Sequence, residues 1–227
     1  MNITNQYFYT MKKNPIFTLF ALGLVISLGH LTANAQSVAD IFNSSKTQIT
    51  WLGVDFTQVQ IVGEMGTVTS SELIPLFEKI NGVIINEGDK YNFKEAFSKD
   101  DIPYDMGPVT KINGGIDSEK LLSSTSAEKG RVNAELVANL VKAYDVKNPK
   151  GIGLVFFMET LDKPSETATM WVTFFDLTSK NVLLTEQMTG KAMGFGFRNH
   201  WARTVYEVLK DIKKSKYKAW KAKYGKS

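Results

Sequence analysis

Hydrophobic positions along this chain follow two periods, and each predicts its own kind of element. Residues 48–56 (QITWLGVDF) mix β-branched and aromatic side chains and predict a strand, which 58–62 extends or follows as a short second one. Leu73, Leu76, Phe77, Ile80 and Ile84 recur at helical spacing behind the polar Thr69, Ser70 and Ser71, so a helix is predicted over 71–86 with Pro75 in its first turn. Gly88 and Asp89 end it, and 91–97 predicts another short helix. Pro103 and Pro108 bracket 104–112, which is at best an edge strand. Polar residues dominate 117–130, a loop or weak helix. Val132, Leu136, Val137, Leu140, Val141 and Tyr144 then share one helical face.

The second half reads differently. Residues 152–161 and 167–177 are apolar on both faces in part, as central strands are. Turn residues at 162–165 and 178–181 join them to each other and to a third strand over 182–189, a three-strand meander. Asn199 is placed to cap a last helix with Trp201, Val205, Val208, Leu209 and Ile212 on one side. The expected fold is α+β or mixed α/β, a largely antiparallel sheet packed by helices in a two-layer or three-layer sandwich.

The first 35 residues stand outside this pattern. Lys12 and Lys13 precede an apolar run, 16–28, too short to span a bilayer, and Ala33-Asn34-Ala35 supplies a small-x-small cleavage pattern. Residues 1–35 are therefore expected to be a signal peptide removed near Ala35-Gln36, placing the protein in the periplasm or outside the cell. A single globular domain is expected over 36–212, with 213–227 as a helical extension. Cysteine is absent, which excludes a lipobox, disulfides, thiolate metal sites and a cysteine nucleophile. Charge is uneven. The net +4 falls to +2 without Lys12 and Lys13; residues 198–227 carry +8, so 36–197 carries −6. A local basic surface of that kind suits an anionic partner or simply faces water.

The stretch 190–201, GKAMGFGFRNHW, invites a phosphate-binding interpretation. Gly194 and Gly196 lack the third glycine of a dinucleotide fingerprint and the second parallel strand that would follow it. Lys191 follows Gly190 without the Ser or Thr of a Walker loop. Gly194 and Gly196 are better explained by a turn or by a close approach of strand to helix. An anion or partner site built from Lys191, Arg198, Asn199 and His200 at the helix start is the functional alternative. After signal removal His200 is the one histidine left, so a polyhistidine zinc site is impossible and a serine triad would have to use it. Near a helix amino terminus and beside Arg198, its cation is disfavoured.

Other candidate chemistry is sparse. Ser126-Ala127-Glu128-Lys129 matches S-x-x-K without its companion motifs. Glu87 with Asp89, and Asp100 and Asp101 with Asp105, lack calcium-loop spacing and sit at helix ends or turns. Asp55 and Asp176, each within or at the end of an apolar strand, are expected to fill structural hydrogen-bonding roles. No cofactor or metal is expected, and no nucleic acid. The carboxyl terminus carries two stripes: Lys210, Lys214, Lys218 and Lys221 on one, Tyr217, Trp220 and Tyr224 on another. Such a helix can rest on an anionic membrane or polymer, or it can pack its rings on the domain and show its lysines to water. As an extension, residues 214–227 are expected to be dispensable for folding.

Residues 170–209 resemble the last half of TolB amino-terminal-like domains: a strand ending in Asp176, a turn with Lys180, a second strand, glycines and a closing helix. Similar units occur in envelope lipoproteins of the curli-secretion type, and the leader with QSVADIF and ITWLGVDF is similar to small exported proteins of Bacteroidetes. The resemblance implies a non-catalytic envelope domain with a mixed sheet and transfers no catalytic residue. The expected function is an exported binding or assembly module that contacts an envelope protein or an anionic surface. The rival is a periplasmic hydrolase using carboxylates or a serine.

Overall fold

The structure is a computed structural model and describes residues 36–123, 126, 128 and 130–225. The expected signal peptide, Ala127 and Lys129 lie outside the described residues. A short helix α1 (Asp40–Asn43) leads into β1 (Ile49–Asp55) and β2 (Gln60–Val62). Helices α2 (Ser70–Asn86), α3 (Phe93–Ala96) and α4 (Gly107–Asn113), a two-residue strand β3 (Leu122–Ser123) and α5 (Ala134–Leu140) follow. The meander is β4 (Ile152–Asp162), β5 (Thr167–Asp176) and β6 (Val182–Lys191). A long carboxyl-terminal helix closes the chain: α6 (Gly196–Asp211), a π turn at Ile212–Lys216, and α7 (Tyr217–Tyr224).

The sheet is mixed. β4, β5 and β6 pair antiparallel, while β1 and β2 lie end to end along the other edge of β4, both parallel to it, and β3 adds beyond β2. Parallel pairing needs a long crossover, and the helices between β2 and β4 supply it. β4 is buried along almost its whole length because both sheet faces are covered. Ile152, Leu154, Phe156 and Met158 face a large core with α2, α3, α6 and α7, whereas Val155 and Phe157 face a smaller one with α4 and α5. The sandwich thus has three unequal layers.

Segment 104–112 departs from the edge-strand expectation. Only Tyr104 makes a strand-like bridge, to Trp51, and the chain then turns into α4. Pro108 falls in the first turn of that helix, where a missing N–H is harmless. The outer edge of β1 is closed instead by side-chain amides. Asn81 of α2 takes the Val54 N–H at 2.8 Å and donates to the Val54 carbonyl at 2.9 Å; Asn113 of α4 donates to that carbonyl at 3.0 Å and takes the Phe56 N–H at 2.9 Å. Two asparagines so do the work of a neighbouring strand and block further pairing there.

Buried ionisable groups are tied into the framework. Asp55 accepts from the Thr57 backbone and hydroxyl and, at 2.8 Å, from the Tyr144 hydroxyl. Burial raises the Asp55 carboxyl despite these bonds, and raises the Tyr144 phenol well above its ordinary range. Asp176 accepts from the backbone of Gln36, Thr178 and Ser179. Lys99 donates to the Ser44 carbonyl at 2.6 Å, and burial together with the nearby Lys221 lowers its pKa to about 8. The unfolded chain holds that proton to near 10.5, so it binds more protons than the folded chain between those values. Stability should therefore rise with pH across that window and fall back as pH drops through about 8. Lys99→Met should remove the dependence and stabilise the protein at pH 7 by about 1 kcal/mol, as urea unfolding at pH 7 and pH 10 will measure.

Candidate functional site

The glycine-rich corner between β6 and α6 forms one wall of a cleft of about 360 Å³. Met65, Thr67 and Val68 from the loop before α2 form another wall, and Lys163 from the β4–β5 turn closes the third side. Local backbone chemistry assembles it. Gly63 has φ of 80°, and a Cβ there would meet Pro164 at 2.6 Å, so the loop can lie against the turn only with glycine. The Lys163 N–H donates to the Val62 carbonyl at 3.0 Å and the Ala192 N–H to the Glu166 carbonyl at 2.8 Å, joining all three walls. Gly194, with φ of 115°, turns the chain into α6.

At the base of the cleft, His200 packs edge-on against Trp201 with ring centroids 4.8 Å apart. Its Nε2 lies 3.5 Å from the Lys163 ammonium, which also reaches Glu166 at 3.3 Å. Burial and the Lys163 charge lower the His200 pKa, and its hydrogen bond to the Gly194 backbone only partly offsets them. The imidazole is therefore neutral at pH 7, and Lys163 is the cation of the cleft. Phe197 leans on Phe77 and Trp201, with centroids 6.4 and 6.3 Å away.

Of the four residues expected to form the anion site, His200 alone lines the cleft. Lys191, Arg198 and Asn199 are exposed beside it, and the Arg198 Nε donates to Asn199 Oδ1 at 3.1 Å. Asn199 is not the cap: the helix opens three residues earlier, with Phe195 in the cap position and no side-chain bond. Lys163 was missed because its Asp-Lys-Pro-Ser context signals only a turn. Two apolar side chains project from the rim, Phe195 at 97 % exposure and Met193 at 64 %.

The carboxyl-terminal stripes are separated as well. Trp220 is buried, Tyr217 packs on Phe42 with centroids 5.5 Å apart, and Tyr224 is half-buried against the same core. Lys210, Lys214, Lys218 and Lys221 are exposed. Glu186 of β6 accepts from Trp220 Nε1 and Lys216 Nζ, each at 2.5 Å. Burial pushes the Glu186 carboxyl up, but these bonds outweigh it and hold it below the usual range. Residues 213–224 therefore continue the helix onto the domain and expose lysines rather than rings.

The acids considered for hydrolysis are dispersed or engaged. Glu87 pairs with Lys90 at 2.8 Å, Asp100 and Asp101 face solvent, and Ser126 is exposed while its motif partner Lys129 is outside the described residues. One carboxylate escaped sequence reasoning. Glu159 is buried at an irregularity of β4, where it accepts from Trp171 Nε1 at 2.9 Å and Gln187 Nε2 at 2.5 Å. Among the described residues no cluster of three or more metal-ligating side chains occurs, and no helix is long and apolar enough to cross a membrane.

Together, fold and cleft define an α+β domain with an open, partly apolar cleft beside a cationic rim. No protein-family model matches the chain, and no curated protein matches it in sequence.

Proposed function

We propose that the protein is an exported, non-catalytic binding module of the cell envelope that meets an anionic surface through the rim of the α6 cleft. The observation that carries this reading is the corner Met193–Phe195, which holds two large apolar side chains in water between the exposed cations Lys191 and Arg198. A corner serving only to turn the chain gains nothing from exposing a phenylalanine, whereas an interfacial contact uses apolar tips flanked by cations. The structural engagement of Asp55, Asp176, Glu159 and Glu186 also favours a scaffold over a reactive centre. So does the order of strand, Lys-bearing turn, strand, glycines and helix over 170–209, which the TolB-like resemblance implies for a domain that binds rather than reacts.

Binding to phosphatidylcholine vesicles with and without phosphatidylglycerol tests it. The protein should bind only the anionic vesicles, less so at high salt. Arg198→Glu should weaken binding by about 2 kcal/mol, roughly thirtyfold, at about 1 kcal/mol per unit charge near the surface. Phe195→Ser should weaken it several-fold, and neither change should alter thermal stability, because both side chains are exposed. Equal binding by all three proteins refutes this reading.

A further inference from the structure

The sheet is closed at one side and open at the other. Asn81 and Asn113 cap the backbone of β1, and the strand beyond β2 is the two-residue β3. β6 ends the opposite side, ten residues long and paired with β5 alone. The Ala192 N–H donates to the Glu166 carbonyl, in register with the neighbouring pair of Lys191 and Thr167. Bonded pairs alternate along an antiparallel ladder, so Gly190, Met188 and Glu186 turn their backbone groups to β5. Thr185, Gln187, Thr189 and Lys191 turn theirs outward, and among the described residues no backbone or side-chain group bonds to them. Gln187, Thr189 and Lys191 are exposed and Thr185 is half-buried.

Proteins blunt a long edge with proline, a bulge, charges or brevity. Residues 185–191 contain no proline, the irregularity of the ladder lies further back at Phe174 and Phe175, and Lys191 is the single charge on the outward row. Charge then decides what fits. Glu186 lies on the helix side of the sheet, where Lys216 and Trp220 hold it. Lys223, about two helical turns beyond Lys216, is exposed and near enough to act on the same carboxylate. Lys216 neutralises Glu186, which leaves Lys223 and Lys191 as surplus cations along the edge. A second copy of the chain fits poorly. Antiparallel pairing of two β6 strands about a two-fold axis would set Lys216 and Lys223 of both copies on one face, like charge beside like.

We propose that the outer edge of β6, over 185–191, takes an extended acidic segment of a partner protein as a further strand of the sheet. Backbone bonds to Thr185, Gln187, Thr189 and Lys191 hold the segment, and the lysines beside the edge select its acidic side chains. The surface does not rest on the vesicle reading, which uses Phe195 and Arg198.

Amide hydrogen exchange of the ¹⁵N-labelled protein, alone and with an end-blocked peptide of alternating Glu and Val, tests it. In the free protein the amides of Thr185, Gln187, Thr189 and Lys191 should exchange fast, and those of Glu186 and Met188 slowly. The acidic peptide should slow the fast set saturably, and its counterpart with Lys in place of Glu should not. Thr189→Pro removes one outward N–H without touching a β5 bond, so it should abolish the protection. Lys223→Glu changes an exposed side chain and no backbone bond, so it should weaken binding of the acidic peptide several-fold even if Thr189→Pro folds poorly. Fast exchange that the acidic peptide leaves unchanged overturns the proposal, as does equal protection by both peptides. Protection that appears without peptide also overturns it: if it grows with protein concentration the edge pairs with a second copy, and if it is constant the edge is already covered.

Discussion

Gly190→Ala should destabilise the protein by about 3 kcal/mol or more, and Gly190→Val should prevent folding. A Cβ at this position would sit 2.1 Å from the Thr204 carbonyl oxygen and 2.7 Å from its carbon. These are backbone atoms in the middle of α6, so no side-chain rotation relieves the clash. The whole helix would have to lift from β6. Thr204 is buried, and Trp201, Val205 and Val208 on the same helix are fully packed into the larger core. Lifting α6 would open gaps beneath all of them, and interiors at crystal-like density tolerate little of that. With total stabilities of about 5–15 kcal/mol, one methyl group here removes a large share. Gly82→Ala is the internal control. It lies within α2 with nothing near its missing Cβ, so alanine there should stabilise by about 0.5–1 kcal/mol. Urea unfolding of the three proteins, followed by tryptophan fluorescence, measures both signs.

The surroundings of Gly190 show how far local pattern reaches. The sequence offers a turn or a close approach of strand to helix for Gly194 and Gly196; Gly194 does turn the chain, but the close approach falls at Gly190, where α6 crosses β6, a contact the sequence does not encode locally. The helix over 71–86 and the three meander strands were legible because burial on one face or on two imposes a period that the residues must obey. Segment 104–112 was misread because Pro108 breaks strands and also opens helices, and only the Asn113 bonds to β1 decide between them. Asn199 looked like a cap because its type suits one; Gly194 and Gly196 instead start the helix early. The cleft was half legible. His200 stood out as the last histidine, whereas Lys163 reaches it only because the β4–β5 turn and the start of α6 lie at the same end of the sheet.

The carboxyl-terminal stretch brings the two readings of a basic-aromatic helix to a measurable conflict. Ending the chain at Lys216 should destabilise the domain strongly, and Trp220→Ala alone should cost about 3–5 kcal/mol, the range for truncating a buried large aromatic. Trp220 is 3 % exposed, fills the larger core beside Phe42 and Ile212, and donates to Glu186. Its loss leaves a cavity and also strips one bond from a carboxylate that burial already disfavours. Tyr217 adds its packing on Phe42, so the truncation should exceed the single substitution. Replacing Lys214, Lys218 and Lys221 by Ser removes only exposed side chains and, apart from relieving the Lys221 charge on Lys99, should change the unfolding free energy by no more than about 0.5 kcal/mol. If that triple variant nevertheless loses affinity for anionic vesicles, the lysine stripe joins Arg198 as contact surface while the rings remain structural. If instead the truncated chain unfolds at the same urea concentration as the whole, Trp220 does not belong to the core. The rings would then be free to meet a membrane.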